Sequence, residues 1–175
     1  MDMRTRLVIV LFFVAITVGL VTGYSPVKEF NVKAPEITSE QWLNSGPLSW
    51  AALKDKVVIV EFWTFDCYNC KNVEPYVKGW YNKYKSKGLE IIAVHTPEFD
   101  HEKKLDNVKD YIKDHSISYP VAIDNDFKIW KSYSNRYWPA MYIVDKQGMV
   151  RYRFIGEGNY PLIESTLVKL LDESK

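Results

Sequence analysis

Apolar residues along this chain change their spacing several times, and each change marks an element. Leu7 to Val21 (LVIVLFFVAITVGLV) is apolar without a break. Val57 to Phe65 (VVIVEFWTF) is again nearly continuous, but short, β-branched and aromatic, with Glu61 as its one charge. Such a run predicts a strand covered on both faces. The period then switches: Val73, Tyr76, Val77, Trp80 and Tyr84 fall at helical spacing, and Gly88 supplies a stop. Leu89 to Val94 (LEIIAV) reads as a second buried strand. Strand, helix and strand in this order predict a βαβ unit with its two strands parallel.

Further on, Asp106 to His115 predicts a helix with Leu105, Val108 and Ile112 turned inward. Its lysines read as a solvated face rather than a binding patch. Tyr119 to Ile123 is a short strand, followed by an irregular aromatic stretch to Trp138. Trp130, Tyr133, Tyr137 and Trp138 in that stretch read first as closing the core and second as a substrate groove. Ala140 to Val144 and Met149 to Phe154 alternate around Asp145-Lys146-Gln147-Gly148, a hairpin signal. Asn159 and Pro161 open a last helix with Leu162, Ile163, Thr166, Leu167, Leu170 and Leu171 in one stripe. Ser25 to Glu40, with Pro26 and Pro35, reads as a linker or extended lead-in. The chain thus divides into an apolar segment at 1–24, a lead-in at 25–40 and one domain at 41–175. The domain is predicted as α/β, a mixed central sheet with helices on both faces.

Arg4 and Arg6 precede the apolar run, and such charges stay on the cytoplasmic side. Everything after Tyr24 is therefore predicted to lie outside the cytoplasm. The run is slightly short for a span of about 20 residues and slightly long for a signal-peptide core. It reads first as a retained single-pass anchor and second as a cleaved signal, with Val21 and Gly23 as the small residues before the cut. No cysteine follows it, so no lipoprotein anchor is expected.

Charge and cysteine content narrow the chemistry. The formal net charge of +1 becomes zero once Asp2, Arg4 and Arg6 are set aside, which gives no electrostatic footprint for nucleic acid. The only two cysteines, Cys67 and Cys70, lie three positions apart, so no structural disulfide framework is possible. They are reactive or metal-binding. Both stand where the first buried strand gives way to the first long helix. Open α/β sheets place their sites outside the carboxyl ends of strands. A helix start offers unpaired N–H groups and the positive end of a dipole, which favour a thiolate. Cys67 is thus predicted as the nucleophile and Cys70, one turn in, as the resolving thiol. A zinc site needs about four ligands, and only three histidines remain to complete one. No metal and no cofactor beyond the redox-active pair is expected.

Glu61-Phe62-Trp63, then Cys67-x-x-Cys70, then Pro75 five residues on, resembles the active-site run of thioredoxins. With His95-Thr96-Pro97-Glu98 and Tyr137-Trp138-Pro139-Ala140, the chain looks more like the TlpA and DipZ-like group of extracytoplasmic thiol–disulfide oxidoreductases. The resemblance runs from about Glu40 to Tyr160. It implies a thioredoxin fold and exchange of disulfides with protein substrates through a mixed disulfide, in the reducing direction. It also implies a cis peptide before Pro139, with Trp138 supplying backbone groups to a bound substrate and Trp63 shielding the site. Glu61 would be the buried acid beneath the cysteines, and Pro75 the proline inside the first helix. Tyr68-Asn69 between the cysteines departs from the Gly-Pro of thioredoxin. DipZ-like proteins fuse this domain to a multi-span electron carrier, and none is seen here. The expected electron donor is therefore a separate membrane protein. Two other classes remain open: a thiol peroxidase, since Thr64 stands three before Cys67 although Val60 replaces the proline of that motif, and a copper-handling chaperone using Cys67, Cys70 and His95. His95 itself reads first as an ordinary loop residue.

Overall fold

In a computed structural model of the chain, residues 29–173 are described. The apolar segment at 1–24 lies outside them, and no described helix is long and apolar enough to cross a membrane. The strands are β1 (Glu29–Lys33), β2 (Trp42–Leu43), β3 (Val57–Trp63), β4 (Leu89–His95), β5 (Val121–Ile123), β6 (Ala140–Val144) and β7 (Met149–Ile155). The helices are α1 (Tyr68–Tyr84), α2 (Leu105–Asp114), α3 (Lys128–Ser132) and α4 (Tyr160–Asp172). The strands form one seven-stranded mixed sheet in the order β1-β7-β6-β3-β4-β5-β2. β3, β4 and β5 run parallel, while β6, β7, β1 and β2 pair antiparallel with their neighbours.

The apolarity of β3 has a direct cause. All seven of its residues are buried, because neither face of the strand meets water. Val57, Ile59 and Trp63 enter one core with Val73, Val77 and Trp80 of α1, Val108 and Ile112 of α2, and Ile163, Leu167 and Leu170 of α4. Val58, Val60 and Phe62 enter a second core, closed by Ile129 of α3 with Ala34, Ile37, Leu53 and Tyr133. β3 is thus the wall between two cores, and the helices lie on both faces as the pattern predicts. Gly88, at φ 98°, takes the left-handed turn that leads from α1 and its closing 3-10 turn into β4.

Some boundaries move. β3 stops at Trp63, so Thr64 and Phe65 belong to the loop that follows it. The lead-in contributes more than a connection, since β1 hydrogen-bonds to β7 as an edge strand, with a register shift between Glu29 and Val32. α3 arises within the stretch expected to be irregular.

Candidate active site

The carboxyl end of β3 and the start of α1 are joined by Thr64, Phe65 and Asp66. Cys67 is the N-cap of α1, with extended backbone, and its Sγ accepts the Cys70 N–H at 3.1 Å. The two cysteines are joined in a disulfide, their Cα atoms 5.2 Å apart. Cys67 is 9% exposed and Cys70 4%. What separates them is position: Cys67 sits at the positive end of the helix and Cys70 one turn inside it. Between them Tyr68 projects into solvent, 75% exposed.

Glu61 lies at the centre of β3, level with Ala93 of β4 and Met141 of β6. It shares the strand face of Ile59 and Trp63, so it points into the core that also takes in Cys67 and Cys70. Its carboxyl makes no hydrogen bond or ion pair among the described residues. Burial strips water from the carboxylate, and the nearby charge of Glu74 adds to this, so its pKa is pushed up to about 8. Trp63 is buried, its ring 5.2 Å from that of His95 and 5.6 Å from that of Tyr111. It belongs to the core that also takes in Cys67 and Cys70. Pro75 lies inside α1.

The peptide between Trp138 and Pro139 is cis. Ala140 pairs with Phe62, which places Pro139 at the same end of the sheet from which the Cys67–Cys70 helix departs. The Trp138 indole donates to the Thr96 carbonyl at 3.0 Å and packs on Trp130, with ring centroids 4.2 Å apart. The main-chain N–H and C=O of Trp138 make no hydrogen bond among the described residues. Of the other aromatic residues in this stretch, Tyr133 is buried in the second core and Tyr137 is 53% exposed.

His95 ends β4 in register with Trp63 and is fully buried. Its Nε2 lies 3.2 Å from the Thr64 hydroxyl, which itself donates to the Glu102 carboxylate. The hydroxyl can then only accept from His95, which puts a proton on Nε2. Burial lowers the His95 pKa to about 4, so the ring stays neutral near pH 7. Thr64 is fully buried and committed to these two partners.

Glu102 is the residue that the sequence does not reveal. It is fully buried in the 3-10 turn after β4. Besides the Thr64 hydroxyl, it accepts the main-chain N–H groups of Asp66 (3.1 Å), Glu98 (2.6 Å) and Phe99 (2.8 Å). Burial alone would raise its pKa. The bonds from Thr64, Phe99, Asp66 and Glu98 outweigh burial and hold it below the usual carboxylate range. The one sequence signal was a Glu at the third position of a helical turn, as in a capping box, but Phe99 stands where that box wants Ser or Thr. Among the described residues no three His, Cys, Asp or Glu side chains come together as a metal site.

Residues 28–153 match the AhpC/TSA family. The chain belongs to that family. Among its relatives is DipZ of Mycobacterium tuberculosis, 44% identical over 137 residues, which cover 77% of this chain and 20% of DipZ. The chain therefore spans about a fifth of that relative's length. The thiol–disulfide oxidoreductase YkuV of Bacillus subtilis is 29% identical over 142 residues, 81% of this chain and 95% of YkuV. The solution structure of a thioredoxin-like protein in its oxidised form superposes with a TM-score of 0.75 at 29% identity, covering 83% of this chain and 98% of the other. The fold is the thioredoxin fold.

Proposed function

We propose that this chain is an extracytoplasmic reductase of protein disulfides, held at the membrane by its N-terminal apolar segment. The observation that carries the reading is the Cys67–Cys70 pair at the start of α1, with Cys67 as the helix cap above a buried, unpaired Glu61.

In the reduced protein, the Cys67 thiolate attacks one sulfur of a substrate disulfide. A bond forms between Cys67 and that sulfur, and the other substrate sulfur leaves as a thiolate. The substrate chain lies beside Trp138 and Pro139, pairing with the free main-chain groups of Trp138. Cys70 then loses its proton to Glu61, directly or through one water, and attacks Sγ of Cys67. The second substrate sulfur departs, and the Cys67–Cys70 disulfide seen here is formed. Two electrons have passed to the substrate. A separate membrane-borne dithiol returns them. With its pKa raised to about 8 by burial, Glu61 exchanges its proton close to neutral pH, as a base that must also give the proton back requires.

The test is the equilibrium reduction potential of the Cys67–Cys70 pair. A reductase is expected near the thioredoxin value of about −270 mV; a value above about −150 mV, close to strong oxidants, overturns the direction proposed.

A further inference from the structure

Asp124 follows β5 directly, is 1% exposed, and takes no part in the disulfide exchange. Its carboxylate is nonetheless fully engaged. Oδ1 accepts the main-chain N–H of Ile129 at 2.9 Å, and Oδ2 accepts that of Trp130 at 2.8 Å. Oδ2 also accepts the Thr96 hydroxyl at 3.1 Å. Both residues bonded to Oδ2 touch the Trp138 indole. Thr96 takes the indole N–H on its carbonyl at 3.0 Å, and the Trp130 ring lies against the indole with centroids 4.2 Å apart. One buried oxygen thus reaches the indole by two routes, through its polar edge and through its face.

The main chain on either side of Trp138 is tied down separately. Asn135 Nδ2 donates to the Tyr137 carbonyl at 3.1 Å, and the Gly156 N–H donates to the Pro139 carbonyl at 2.9 Å. Trp138 itself is held only by its side chain. Thr96 also reaches the cysteine side of the site, since its N–H donates to the Trp63 carbonyl at 3.1 Å. We infer that Asp124 is a positioning residue for substrate binding: through Thr96 and Trp130 it sets how the Trp138 main chain meets a substrate strand. This rests on the pairing of substrate with Trp138 proposed above. A fully satisfied buried network holds its members to one geometry, and a binding group whose support is loosened binds less well. Asp124 makes no bond to either cysteine, so its loss should weaken the grip on a peptide and spare the thiol chemistry.

The experiment compares two oxidants of the reduced whole chain in stopped-flow. One is a peptide disulfide; the other is hydroxyethyl disulfide, which has no main chain to pair with Trp138. For Asp124→Asn, nearly isosteric, the half-saturating peptide concentration is expected to rise about fivefold, the weight of one net hydrogen bond. The rate with hydroxyethyl disulfide should match the wild type, a split that a merely structural role would not produce. Hydrogen exchange of the Trp138 indole N–H, read by nitrogen NMR, should quicken in the same variant. Thr96→Val removes only the hydroxyl arm and is expected to shift the peptide value the same way by less. It carries the test if Asp124→Asn does not fold. A peptide value or an indole N–H that stays as in the wild type, or an equal loss with both oxidants, overturns the role given to Asp124. Substrate pairing is checked independently in the mixed disulfide trapped with Cys70→Ser, where the Trp138 main-chain N–H should resist exchange. Resistance there with no effect of Asp124→Asn removes Asp124 alone. Without it the substrate does not pair with Trp138, and the role of Asp124 falls together with that pairing.

Discussion

The Glu102 carboxylate accepts the main-chain N–H of Asp66, the residue immediately before Cys67, at 3.1 Å. A buried anion after β4 thus holds the loop from which the nucleophile is presented. Because Thr64 and Asp66 are both tied to it, the approach to α1 is fixed from the side of β4 rather than by the helix itself.

Glu102→Gln is expected to destabilise the protein by about 2 kcal/mol at pH 7, the scale of charge-assisted hydrogen bonds lost in a buried site. The pH dependence has a definite sign. A carboxyl whose folded pKa is depressed gives stability that is fully present above its unfolded value, about 4.3, and lost as pH falls through the folded value. Chemical denaturation between about pH 3 and pH 7 should therefore show a shallower acid loss in the variant. An identical acid limb in the two proteins would assign the effect to another carboxylate.

Glu61→Gln should act oppositely on stability. The folded pKa of Glu61 lies at about 8, above its unfolded value, so the wild type loses stability as pH rises from about 4.3 to 8. The variant escapes this loss and is expected to melt higher at pH 8 than the wild type. In stopped-flow with a peptide disulfide, attack by Cys67 should be little changed. Resolution by Cys70 should slow and lose its rise through about pH 8. An unchanged resolution rate would leave Glu61 a structural residue.

Iodoacetamide at neutral pH is expected to label Cys67 of the reduced protein first. Both cysteines are buried, so the selectivity is expected to come chiefly from the helix end at which Cys67 sits. Peptide mapping after brief labelling reads it directly. Equal labelling would mean that the helix end does not discriminate between the thiols.

The N-terminal apolar segment is expected to keep the whole chain in the membrane fraction after carbonate washing, while a chain starting at Tyr24 is released. A full-length product that appears shortened and soluble would mark the segment as a cleaved signal.

How much of this was legible in the sequence depends on the range of the interaction involved. The unbroken apolarity of Val57 to Trp63 shows through because burial on two faces removes every polar position, and the switch to helical spacing after Cys70 is equally local. The cysteine pair and Glu61 could be placed from those two elements alone. The cis peptide before Pro139 came from resemblance, not from pattern. Glu102 escaped because its role depends on Thr64 and Asp66, 38 and 36 positions away, and a long-range hydrogen bond leaves no period in a chain. Glu74 looked like any helix carboxylate until α2 brought Tyr111 and His115 against it. β1 and α3 are too short for periodicity, and β1 is defined only by its pairing with β7.

Reduction of the disulfide does not strip the first helix of its opening hydrogen bond. The Cys67 sulfur already receives the Cys70 N–H, and as a thiolate it would receive it more strongly in the same place. The bond that is broken joins residues only three apart, so the chain entropy freed by opening it is about 2 kcal/mol and does not vary with pH. Oxidised and reduced forms should therefore differ in melting temperature by a constant part and a pH-dependent part set by the ionisation of the freed thiols. Their difference, followed against pH, turns the stability of the whole domain into a gauge of how acidic Cys67 is.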